Sequence, residues 1–267
     1  MFRNAQVAGQ FYPSDPGRLR ADLSRLVPAA AEPVHAFGAV APHAGYVYSG
    51  AVAGKVFGAV AVPQTVVVIN PNHTGQGVRA ALWAEGSWRT PLGDVPVDEA
   101  LAAFLMERAP VFKHDPRAHL MEHSGEVMLP FLQHRNPEVS VVPLCLMGLK
   151  EEEMAQAASA LAAAVRLREG RVLVLASSDM NHFEDDAATR VKDQAAMDRI
   201  LALDGPGLLS VTRQREISMC GVYPAALMLE AARLYGVREV RAIAYDTSAS
   251  AFGDKRRVVG YFGAIVV

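Results

Sequence analysis

"AVAPHAGYVYSG", residues 39–50, and "VVVINPNHTG", residues 66–75, are built alike. Each is a short run of small and β-branched apolar residues that stops at a proline and then presents a histidine, His43 in the first and His73 in the second. A third stretch, "VLVLASSDMNHF" at 172–183, carries Asp179 and His182 just past its apolar run. Short continuous apolar runs read as strands buried on both faces, the kind that parallel sheets use. In an open parallel sheet, ligands bind beyond the carboxyl ends of the strands. The pattern therefore predicts that His43, His73 and the Asp179–His182 pair gather at one edge.

Working outward, strand-like runs lie at 37–41, 66–70, 80–84, 139–144, 171–176, 238–244 and 258–266. Helical spacing covers Asp15–Val27, Ala51–Ala61, Asp98–Arg108, Glu122–Gln133, Lys150–Arg168, Asp185–Leu203 and Gly221–Tyr235. The stretch "GSWRTPLGDVPVD", 86–98, reads as a hairpin connection or surface loop. Strands alternating with helices predict a single α/β domain over residues 1–267. Its mostly parallel central sheet is expected to have helices on both faces.

Composition sets bounds. The chain has 267 residues, half of them hydrophobic, two cysteines and a formal charge of -2. A chain this long can bury a sizeable core, so it needs no staples. Two cysteines make no disulfide framework. The balanced charge gives no footprint for nucleic acid. No apolar run is long enough to suggest a membrane span, and the first residues lack a signal-peptide core. A cytoplasmic protein is the resulting expectation.

A lone histidine past a strand is more often a loop or cap residue than a ligand. Three such stretches, each with Pro, Asn, Ser or Asp beside the histidine, are harder to explain that way. Imidazole is the commonest metal ligand and the usual acid or base near neutral pH. In "ISMCGVYPAALML", 217–229, Cys220 stands at the entry to a helix, where the helix field is expected to lower its pKa. Cys145, in "VVPLCLMG", is assigned to the core. A competing motif is "HLMEH", 119–123, the inverted zinc-peptidase pattern, with Glu122 as base. Only three of its residues are specified. His114, His119 and His134 are read as solvated or capping, whereas His123 begins "EHSGEVMLPFL" and could point into the same cleft.

Taken together, "VAGQFYP", "PHAGYVYSG", "NPNHTG", "EHSGEVMLPFL", "SSDMNH", "CGVYP" and "DTSASAFGDKRRVVGYFGAIV" resemble the Memo family, whose bacterial and archaeal members are often called AmmeMemoRadiSam system protein B. The family's fold is similar to that of class III extradiol dioxygenases. The resemblance implies that His43, His73 and Cys220 hold a transition metal, iron or copper with zinc also suited. It implies that His182 is the acid–base residue and that Asp179 lines the pocket, where a carboxylate is expected to orient that imidazole. His123 would also line the pocket, and Tyr48 and Phe11 would sit at its mouth against substrate. It further implies a radical SAM enzyme and an Amme-type companion as partners, with an unknown small molecule or peptide as ligand. Two local departures stand out: "TSASAFGD" replaces a shorter turn, and Val222 and Tyr223 stand where animal members carry arginine and histidine. Three functions stay open: a metal-dependent oxidoreductase, a metal-carrying protein without turnover, and a binding module that keeps only the pocket.

Overall fold

The computed structural model describes residues 1–28 and 32–267. Its centre is four mutually parallel strands, Gly38–Ala41, Val172–Ser177, Thr65–Pro71 and Ser140–Leu146, side by side in that order. All seven residues of Thr65–Pro71 are buried, and they alternate between two cores. Val66 and Val68 face one core, and Val67 and Ile69 face the other. That is why the run reads as continuously apolar rather than alternating. Helices Glu99–Arg108, Glu151–Leu167, Asp186–Leu201, Gly205–Gln214 and Val222–Tyr235 cover one face. Pro16–Leu26, Tyr46–Ala59 and Leu129–Arg135 cover the other.

The flanks depart from the parallel expectation. Val258–Val266 runs antiparallel to Gly38–Ala41 and to Val240–Thr247, and Ala80–Leu82 runs antiparallel to Ser140–Leu146. His182–Glu184 also pairs antiparallel with Val258–Val266, while the outermost strand, Lys113–His114, is parallel to Ala80–Leu82. The sheet is therefore mixed, with a parallel centre and mostly antiparallel flanks. The connections show why. A parallel return needs a crossover of about a dozen residues or more. Only 72–79 separates Thr65–Pro71 from Ala80–Leu82, too short for a crossover helix.

The 86–98 segment forms the expected hairpin, Ser87–Thr90 with Gly93–Pro96, and Phe2–Arg3 adds to it in parallel. It is no surface loop, since Trp88 is fully buried. The helix expected at Ala51 begins five residues earlier, at Tyr46, whose N–H donates to the Phe11 carbonyl at 2.7 Å. Along that helix Gly50, Gly54 and Gly58 form a groove: a Cβ on Gly54 would stand 2.1 Å from the Leu26 carbonyl oxygen. The Gly205–Gln214 helix was not expected, because glycine and proline dilute its apolar pattern. Its Asp204 cap, accepting from the Gly207 N–H at 2.8 Å, was a readable start signal. Among the described residues, no helix is long and apolar enough to cross a membrane.

Candidate metal centre

Register delivers the site. Ala41 pairs with Ser177, and Ala176 pairs with Ile69, so three neighbouring strands end at one level. Just past those ends stand His43, Asp179 and His73. The imidazole nitrogens of His43, His73 and His123 come within 4.8 Å of one another. The His73 and His123 rings stack at 4.8 Å, and His43 meets both edge-on at 5.4 and 5.5 Å.

Each of two rings is oriented from behind. The Ser177 hydroxyl donates to the Ser124 carbonyl at 3.0 Å, so toward His43 it can only accept, and the 2.7 Å contact is a hydrogen bond from Nδ1–H. His43 Nε2 is left with its lone pair. His73 Nδ1 lies 2.8 Å from Glu122 Oε1. Burial pushes the Glu122 carboxyl up, but hydrogen bonds from His73 and Ser124 outweigh it and hold the group at about 2. An ionised carboxylate accepts, so His73 also carries Nδ1–H and leaves Nε2 free. Carboxylate–histidine pairs of this kind fix the tautomer of metal-binding imidazoles and raise their basicity.

The charges of the rings differ accordingly. Burial lowers the His43 pKa, and the neighbouring imidazoles His123, His73 and His182 push it the same way. Burial also lowers His123. At His73 burial acts downward too, but the Glu122 hydrogen bond and charge prevail and the pKa is raised.

Cys220 joins from the far side. Its Sγ is 3.3 Å from His43 Nε2 and accepts from the Asp179 N–H at 3.3 Å. Gly221 permits this approach, since a Cβ there would lie 2.3 Å from the Ser177 carbonyl oxygen. Two ligands of one tetrahedral ion, a thiolate and an imidazole, stand roughly 3.5 Å apart. The sulfur lies outside the group of three mutually close nitrogens. Its pKa departs from expectation: burial raises the thiol first and the Asp179 carboxyl second, which together outweigh the lowering hydrogen bonds from the Asp179 backbone, the Ser178 side chain and the Gly221 backbone.

The remaining expected residues fall as follows. Asp179 is buried and holds the His43 and Ala44 N–H groups, at 2.8 and 3.3 Å, instead of orienting His182. Burial pushes its carboxyl up to about 7, against those two hydrogen bonds. His182 is oriented by Ser218, whose carbonyl accepts from Nδ1 at 2.9 Å. Phe11 packs on His123 at 4.8 Å, and Tyr48 meets the exposed Phe252 at 5.4 Å.

The peptidase pattern dissolves. Residues 117–120 form one short helix and the chain then turns, so His119 and His123 share no helical face. His119 is neither solvated nor a cap. It is fully buried, donates from Nε2 to the Ala81 carbonyl at 3.0 Å and sits against Trp83 and Trp88. Burial holds its pKa down at about 3. Glu122 serves His73 instead.

Sequence reasoning missed the supports. Ser177 stands just past the end of an expected strand and Ser124 within the expected Glu122–Gln133 helix, and nothing in the sequence singles out either. Arg3 and Glu126 form a fully buried ion pair at 2.6 Å, and Arg3 also donates to the Glu122 and His119 carbonyls. Glu126 takes the Gln6 and Val7 N–H groups and the Tyr12 hydroxyl. The N-terminal segment thereby pins the turn that carries Glu122 and His123. The only sequence signal was a charged residue in an otherwise apolar setting.

A MEMO1 family protein of Thermotoga neapolitana is 39% identical, with 100% of each chain covered. One from Methanopyrus kandleri is 38% identical over 98% of this chain and 97% of its own. A solved structure of an uncharacterized Escherichia coli K12 protein is 16% identical and covers 78% of this chain and 89% of its own, with a TM-score of 0.49. The model of the Memo-like protein family matches residues 3–265, and this chain belongs to that family.

Proposed function

We propose that this protein holds one transition metal ion between His43 and His73 and uses it in oxidation–reduction chemistry, in the manner of class III extradiol dioxygenases. One observation carries the reading. Both imidazoles engage Nδ1–H with an oxygen behind them, so both Nε2 lone pairs are left for a cation. The 3.3 Å approach of Cys220 Sγ to His43 Nε2 supports the thiol as third ligand, and the grouping of nitrogens supports His123 as a neighbour or alternate. A coordinated thiol is deprotonated by its ion, so the raised thiol pKa is no obstacle. Iron or copper is favoured by this reading, and zinc suits the same donors.

When bound, the ion would supply a redox couple or a Lewis acid beside His182. His182 keeps Nε2 available to take or give a proton, because Nδ1 is engaged with Ser218. Asp179 fixes the backbone that carries His43. Phe11 and Tyr48 supply aromatic surface for a small molecule or peptide. A radical SAM enzyme and an Amme-type companion are the proposed partners, and the cytoplasm the proposed location.

The test is metal content after anaerobic loading with iron(II) or copper(I). About one ion per chain is expected in the wild type and little in a His43→Ala, Cys220→Ser double variant; equal content in the two contradicts the reading. His123→Ala and Cys220→Ser, measured singly, identify the third ligand. Oxygen uptake with a panel of catechols then separates turnover from metal carriage: a loaded protein that consumes no oxygen is a carrier.

A further inference from the structure

We infer that Asn181 is a positioning residue that couples the His182 ring to the Cys220 loop. The inference deepens the reading of the same cleft.

Asn181 is buried, and its side chain reaches three segments: the Ser218 loop, the His182–Glu184 strand and the Asp186–Leu201 helix. Its Oδ1 accepts from both the N–H and the hydroxyl of Ser218, each at 3.1 Å. Its Nδ2 donates to Glu184 Oε2 at 2.8 Å and toward Thr189 Oγ1 at 3.4 Å. The main chain is held as firmly: N–H donates to Asp193 Oδ1 at 2.8 Å, and the carbonyl accepts from the Gly260 N–H at 3.0 Å. The amide can sit only one way round. A flip would set its NH2 against the Ser218 N–H and its oxygen against the Glu184 carboxylate.

Ser218 transmits this grip in two directions. Its hydroxyl accepts from the His182 N–H at 2.8 Å, and its carbonyl accepts from His182 Nδ1 at 2.9 Å. One residue therefore sets both the position and the tautomer of His182. Ser218 also lies two residues before Cys220, so the same grip fixes the loop that brings Sγ to His43. Asn181 belongs to neither the proposed metal ligands nor the acid–base residue, yet it ties the two together.

The test uses the metal-free full chain, so it stands or falls separately from metal binding. Two reporters are read: the alkylation rate of Cys220 with iodoacetamide, and the 15N shifts of the His182 ring. Cys145, fully buried, reports on the core by staying unreactive. Asn181→Leu is expected to speed Cys220 alkylation about tenfold or more and to turn a single Nδ1–H tautomer of His182 into a mixture. Asn181→Asp keeps the acceptor for Ser218 but sets a carboxylate against Glu184. It should lose stability while both reporters stay near wild type. Ser218→Ala, at an exposed loop position, should raise the alkylation rate by a smaller factor, about threefold, and serves if Asn181→Leu does not fold. The inference is overturned if folded Asn181→Leu matches the wild type in both reporters. It is also overturned if the two Asn181 variants move the reporters equally, in step with stability, or if Ser218→Ala leaves the alkylation rate unchanged.

Discussion

His43 and His73 face each other across the cleft, yet they are held by opposite means. Behind His43 stands a neutral hydroxyl, Ser177, in a fully buried setting. Behind His73 stands an ionised carboxylate, Glu122, and the ring is partly open to solvent. The two supports fix the same tautomer but leave different charges. Burial keeps His43 a neutral donor, whereas the carboxylate makes His73 the more basic donor and gives the cleft a fixed negative charge. A cation is thus accepted by one side through shape and by the other through charge. Ser124 joins them, since its carbonyl accepts from Ser177 while its N–H and hydroxyl donate to Glu122.

The comparison breaks most visibly at Glu122. Glu122→Ala removes the charged acceptor of four hydrogen bonds from His73 and Ser124. It should lower unfolding free energy by about 3 kcal/mol in urea titration and weaken metal binding by about 100-fold. A loss no greater than that of Ser177→Ala would mean that charge does not distinguish the two sides.

Asp193 sharpens the contrast, as a buried carboxyl with no cation in contact. Burial pushes it from 3.8 up to about 6, against hydrogen bonds from the Asn181 N–H and Tyr245 hydroxyl. Since its folded pKa lies above its unfolded value, its contribution to stability is fully present below about pH 4 and is lost as pH rises through about 6. Relative to Asp193→Asn, the wild type should therefore lose roughly 3 kcal/mol across that window. Parallel stability curves for the two proteins would remove Asp193 from the comparison.

Ser177→Ala should be milder, costing about 1 kcal/mol and about tenfold in metal affinity, with His43 free to exchange tautomers in 15N spectra. The smallest effect belongs to His119→Phe, which should change stability by about 1 kcal/mol or less and leave metal content at the wild-type level. Loss of metal in that variant would revive the H-x-x-E-H motif.

Much of this was legible in the sequence because strands buried on both faces leave continuous apolar runs, and a proline marks where the runs before His43 and His73 stop. His43 and His73 could be placed at one edge from that pattern alone. The antiparallel flanks could not, because the apolar runs at 80–84 and 258–266 look like those of the centre. Direction is set by connection length instead. His119 misled for a physical reason: a fully buried, hydrogen-bonded histidine leaves the same letter as a ligand. Ser177, Ser124 and Asn181 act through hydroxyl, amide and backbone groups that many loop residues carry, and nothing in their identity marks which partner they meet. Cys220 shows the reverse case. Its place at a helix entry was readable, but the burial and the Asp179 carboxyl that reverse its pKa lie 41 residues away along the chain.

The most direct test is anomalous diffraction from crystals of the anaerobically loaded protein. The proposed centre gives one peak, about 2.0–2.1 Å from Nε2 of both His43 and His73, with Ser177 and Glu122 still on their Nδ1 atoms. A peak bound through either Nδ1, or two separate peaks each on a single histidine, would contradict it.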